Sequence, residues 1–236
     1  MSEAPQDALS ETVYSALYDD DEARVCKDVP ESACRHQPRN WVFSTLSLSL
    51  TKTGDALVDP KLTLTWLLGA LGAPAFLVGL LAPVREAGAL LPQLFIATAI
   101  RQREQRKYVW AAGSLGQALA LVIMGVIALT LEGALAGWIL IAMVAVFAVA
   151  RSLCSVSHKD VLGKTVSKTR RGAVSGYATT VSGLVALAFG AVLVVSPDTG
   201  APVIAGLLFL GAGLWVSAAF VYLQLAEAPG STEGGA

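Results

Sequence analysis

Charge is what this sequence has least of, and its placement says more than its amount. Charged side chains make up 15% of the 236 residues, against about a quarter in soluble domains. Between Tyr108 and Ala150 the only ionisable groups are Tyr108 itself and Glu132, and between Ala173 and Gln224 the only charge is Asp198. A water-soluble helix would set a polar residue at every third or fourth position, and these runs do not. Cysteine is sparse too: three in the chain, which argues against a disulfide framework. The N-terminus lacks both a basic start and an apolar stretch, so it does not read as a cleaved signal peptide. A net charge of −1 with no basic domain leaves no electrostatic footprint for nucleic acid.

Long apolar runs fill the space that charge vacates. Four spans are read directly, Tyr108–Leu131, Ala134–Val156, Ala173–Val195 and Ala201–Ala226, each long enough for the roughly 30 Å hydrocarbon core at about 1.5 Å per residue. Glu132-Gly133 and Ser196–Gly200 carry turn signals between them. Residues 41–100 admit two parses. Hydropathy selects Leu62–Ala82 and strands Ala87–Ile100 as a short remnant. The alternative uses Trp41–Trp66 and Ala75–Ala99 with a turn at Gly69–Pro74, and places Lys52, Asp55, Asp59, Lys61, Arg85 and Glu86 inside the membrane. Either parse allows six spans, the first only if the remnant crosses.

Orientation follows from lysine and arginine. Of the 17 basic residues, four precede the first span, four lie in Arg101–Lys107 and six in Arg151–Arg171. The positive-inside rule therefore puts both termini and these two loops in the cytoplasm. Residues 1–40 read as a water-facing tail, partly disordered, with one or two amphipathic turns over Leu9–Tyr18. Residues 227–236 read as a flexible tail or the start of a linker.

In the second parse, Ser49, Lys52, Asp55, Asp59 and Thr63 fall on one stripe of a helix, with Lys52 about 16 Å into its span. A charge at that depth costs roughly 2.5–3.5 kcal/mol on insertion scales, so these groups must pair or line water. They could form a polar cavity, its acids binding a proton or cation and its bases an anion, or an ion-pair cluster that merely stitches helices together. Arg151, at the end of its span, reads equally as a snorkelling arginine. Gly172, Gly176, Gly183 and Gly190 suit close helix packing. Cys26, Cys34 and His36 lack zinc spacing and a fourth ligand, so they read as free thiols beside a histidine. Gly172–Gly176 superficially resembles a serine protease motif, but the only histidines, His36 and His158, lie outside the later spans, leaving no base. No cofactor, metal or enzymatic centre is expected.

From about Asn40 onward the chain resembles the N-terminal half of a major facilitator superfamily permease. SLSLTKTGDALVDPKL and GAPAFLVGLLAPVREAGALLPQ look like the first two helices, with Gly54-Asp55 at its usual place. IRQREQRKYVW sits where these permeases carry a basic loop, and Arg151 where they often have a helix-four arginine. The loop departs from the family pattern at Thr98, Gln102 and Gln105, where two glycines and an aspartate are usual, while Arg103, Arg106 and Lys107 match. The fifth helix lacks the proline of the antiporter signature.

The resemblance implies an all-α membrane fold of six transmembrane helices, one half bundle with a 3+3 inverted repeat. It also implies a transporter of a small solute, in a cell membrane such as a bacterial inner membrane. Lys52, Asp55, Asp59, Arg85 and Glu86 would serve translocation, with Arg103, Arg106 and Lys107 bracing a cytoplasmic gate and Arg151 beside the path. The implied partners are the lipid bilayer, a solute with or without a coupled proton, and a second six-helix half or a second copy of the chain. A non-transporting fragment or membrane scaffold is the competing reading.

Overall fold

The computed structural model describes residues 5–18, 29, 31–195 and 200–230. All regular structure among them is helical. A peripheral helix α1 (Pro5–Leu17) and a short α2 (Glu31–Arg35) precede α3 (Gln37–Leu57). A π-helical turn (Pro60–Leu64) leads into the short α4 (Thr65–Ala70). Five long helices follow: α5 (Ala75–Arg101), α6 (Lys107–Thr130), α7 (Gly133–Thr165), α8 (Lys168–Val195) and α9 (Ala201–Leu223).

These five are long and apolar enough to cross a membrane, and the chain is a multi-pass α-helical membrane protein. α3 has the length of a span, 21 residues, but not the composition. Its Ser44, Ser47, Ser49 and Thr51 are all buried, turning a polar face toward its neighbours rather than an apolar one toward lipid. Conversely Leu90, Leu91, Leu94 and Phe95 of α5 are 60–81% exposed. A patch of that kind is untenable in water and ordinary in a bilayer, where lipid covers it.

Residues 41–100 follow the second parse in its turn before Ala75 and in the helix that begins there, but not in its first span. The uninterrupted apolar run Leu62–Ala82 does not form one span, because the chain turns between Leu71 and Pro74. Gly72 takes a positive φ of 68° there, open to glycine at little cost. Gly133 does the same at the α6–α7 turn, with φ 71°. Its N–H donates to the Leu71 carbonyl at 2.6 Å, tying the two turns together. The expected continuous span Trp41–Trp66 is broken at Asp59-Pro60: proline lacks an N–H and cannot continue the α3 ladder. Basic residues 151–171 are not a loop either. α7 continues helically to Thr165, 33 residues in all and about 50 Å long, so its last turns extend beyond the bilayer core.

Packing runs from α5 to α7, α7 to α6, α6 to α9, α9 to α3 and α3 to α8, with α3 also touching α7. α5 and α8 are therefore the wings. The core is built from Leu67, Leu77, Leu121, Leu140 and Leu208, and Trp110 stacks on Tyr222 at 3.9 Å. α1 packs along α3, so part of the expected tail is a docked helix. Tyr14 is buried, its hydroxyl accepts from Gln37 at 3.0 Å, and Asp7 pairs with Arg39 at 3.1 Å. Tyr14, Tyr18 and Tyr177 surround Trp41 at ring distances of 5.6–5.9 Å. Burial, and then the neighbouring Tyr177, push the Tyr18 phenol above its ordinary pKa.

Candidate functional site

Asp55 stands at the meeting of three helices. Its position, 18 residues after Gln37, sets it about 27 Å along α3 at the helical rise. One carboxylate oxygen accepts from the Arg85 guanidinium of α5 at 3.2 Å, and the other from Arg151 of α7. Sequence spacing cannot pair residues 30 and 96 positions apart; the packing does. Arg85 also lies over the Phe147 ring, 5.8 Å from its centre. Pro83 and Pro92 flank it within α5, and each leaves the carbonyl four residues earlier without its helical donor.

Lys52, one turn before Asp55 on α3, reaches the other way. Its ammonium donates to the Thr179 hydroxyl of α8 at 2.5 Å. The polar stripe thus ties α3 to α5, α7 and α8. None of its members is sealed: side-chain exposures are 13% for Arg85, 15% for Asp55 and 36% for Arg151. Glu86, next to Arg85 in the chain, is exposed.

Asp59 does not join this cluster. Its carboxylate accepts from the Lys61 backbone N–H at 2.8 Å, capping the π-helical turn. With α3 ending at Leu57, the stripe drawn through Asp59 and Thr63 no longer lies on one helix. The open space around Gly172, Gly176, Gly183 and Gly190 is a second correction: a Cβ at any of them meets nothing within 4 Å. Close helix contact falls elsewhere, as at Gly137, where a Cβ would come within 2.6 Å of Leu77 and 2.8 Å of Ala73. Cys34 is disulfide-bonded, not a free thiol, and Cys26 lies outside the described residues. His158 lies within α7, not outside the later helices, and its Nδ1 is 3.2 Å from the Tyr222 hydroxyl.

A second charged cluster sits where α6 begins and α7 and α9 end. Arg106 is buried, 3.3 Å from Asp160, and its guanidinium donates to the carbonyls of Ile100 and Arg101. Glu227 has 0% of its side chain exposed and pairs with Lys164 at 3.3 Å. The same carboxylate accepts from the backbone N–H groups of Arg106 and Lys107 at 3.0 and 2.8 Å, the free donors and positive pole of α6. Lys107 donates in turn to the Leu223 and Leu225 carbonyls, capping the end of α9. Arg103 is exposed and stands outside this cluster among the described residues. Glu227, Asp160 and Lys164 were missed as candidates; only the helical spacing of Asp160 and Lys164 gave any signal.

No protein-family model matches the chain, and neither the curated proteins nor the solved structures yield a match. What the fold and composition define is the class, an α-helical membrane protein crossing the bilayer several times.

Proposed function

We propose that this chain is a membrane transporter of the major facilitator type, not an enzyme, and that it moves a small solute past Asp55 by alternating access. The observation that carries the reading is the Asp55–Arg85–Arg151 cluster. Ionised groups deep in a helical bundle are costly and mark translocation paths, and this cluster spans three separate helices while staying partly open. In this reading α3 is the sixth span, its polarity tolerated because it faces the path, and both termini are cytoplasmic. A second six-helix half, from another copy of this chain or a further segment, closes the other side. The bare glycine stripe of α8 suits that contact.

The test needs no knowledge of the solute. In a variant without native cysteines, a single cysteine at Thr53 or Ala56 should react with impermeant thiol reagents added from either side of sealed vesicles. Labelling from neither side, or from one side only, would overturn alternating access. The competing scaffold reading predicts a dry cluster and no labelling. Orientation is checked separately by a reporter fused after Ala236, expected in the cytoplasm. The Cys34 disulfide suits an oxidising compartment instead, so the reporter decides between the two signals.

A further inference from the structure

The charges around Asp55 do not balance. Lys52, Arg85 and Arg151 bring three cations to this stretch of α3, α5 and α7, and both oxygens of the single enclosed carboxylate, Asp55, are already engaged by the two arginines. Lys52 meets only a neutral hydroxyl, that of Thr179, and has no carboxylate partner among the described residues. Counting the exposed Glu86 as well, three positive charges face two negative ones. Excess charge in a low-dielectric bundle is expensive. The cluster around Glu227 also holds three cations against two carboxylates, but there the third, Lys107, is placed on the Leu223 and Leu225 carbonyls at the negative end of α9.

Deepening the transport reading and resting on it, we infer that the solute is a small monovalent anion, a carboxylate or phosphate group drawn by this positive excess and seated on Arg151, with Lys52 one turn before Asp55 on α3 adding to the local positive charge. One negative charge brings the cluster to neutrality. Arg151 is the more open of the two arginines, at 36% against 13% exposure, and its planar guanidinium suits two-point binding of such a group. Asp55 occupies the arginines in the empty protein. An incoming anion takes Arg151 from it, while Arg85 stays paired with Asp55. A cationic solute has no equivalent enclosed seat, since the one carboxylate here not engaged by an arginine, Glu86, is exposed.

The experiment uses the full chain in nanodiscs of phosphatidylcholine, with acetate, lactate, benzoate and inorganic phosphate as probes and choline and glucose as controls. Ligand-dependent thermal stabilisation is the readout. At least one anion should raise the unfolding temperature while the controls do not. Arg151→Met and Lys52→Met should each weaken its apparent affinity about tenfold or more, with Lys52→Arg restoring it. If Arg151→Met does not fold, Lys52→Met carries the test, because it removes only the bond to Thr179.

Stabilisation by choline or glucose alone, by no anion at all, or by an anion equally in Lys52→Met would overturn the inference. Nanodiscs containing phosphatidylglycerol separate the two sources of the anion. Competition with the soluble probe there would show a lipid headgroup in the seat and overturn the solute assignment. Two-sided cysteine labelling without anion binding removes this inference and leaves transport standing; anion binding with one-sided labelling does the reverse.

Discussion

Two charged clusters in one bundle have been built on opposite plans. Around Glu227 the inner groups are sealed, Arg106 at 2% exposure, Lys164 at 7% and the Glu227 side chain at none, with Asp160 at the edge, and every positive group there meets a carboxylate or a helix-end carbonyl. Around Asp55 every member is partly open, and Lys52 meets only a neutral hydroxyl. Burial raises the energetic stake of a charge, because a lost partner leaves the other ion uncompensated. Openness lowers that stake and leaves room for a ligand. The first plan suits a joint that must stay closed, the second a place where partners change.

The largest effect should come from breaking the sealed joint. Glu227→Ala strands Lys164 and two backbone donors and should cost about 3–5 kcal/mol of stability, read by thermal unfolding in detergent. Replacing both partners, Lys164→Met with Glu227→Leu, should recover much of that loss; no recovery would mean that the cap on α6 outweighs the ion pair.

Asp55→Asn should cost less stability, about 1–3 kcal/mol, because water reaches Arg85 and Arg151, yet it should abolish solute movement with insertion intact. Full transport by that variant would remove Asp55 from the path. Smaller again is Lys52→Met, which loses one hydrogen bond and should change stability by about 0.5–1.5 kcal/mol, measured by the same unfolding assay. A cost matching that of Glu227→Ala would erase the distinction between the clusters. Smallest is Asp7→Asn at the partly exposed bond to Arg39, worth about 0.2–1 kcal/mol. Its readout is protection of α1 from protease, and its effect should shrink further in high salt.

The apolar spans were legible because hydropathy is local: Tyr108–Leu131 and Ala201–Ala226 stand within a few residues of α6 and α9. The polar stripe on α3 was legible for the same reason, though Lys52 and Asp55, one turn apart, reach different neighbours. Asp59 was lost because the stripe assumed that α3 ran on past Pro60. The glycines of α8 misled because a small residue permits close approach without requiring it. Glu227 could not have been found at all. A glutamate after an apolar run looks like the start of a linker until Lys164 and the first turn of α6 are brought to it from 63 and about 120 positions away.

By itself, then, the sequence determined that this chain lives in a bilayer, roughly where most of its helices lie, and that charges on α3 must be sheltered. Those follow from the cost of moving each residue type between water and hydrocarbon, which depends on composition over a short window. Only the tertiary structure decided that Asp55 meets Arg85 and Arg151, that Lys52 is left with a hydroxyl, and that Glu227 closes the other end. Pairing depends on which helices are neighbours and how far each is turned about its axis, and that is a property of packing, not of any one segment.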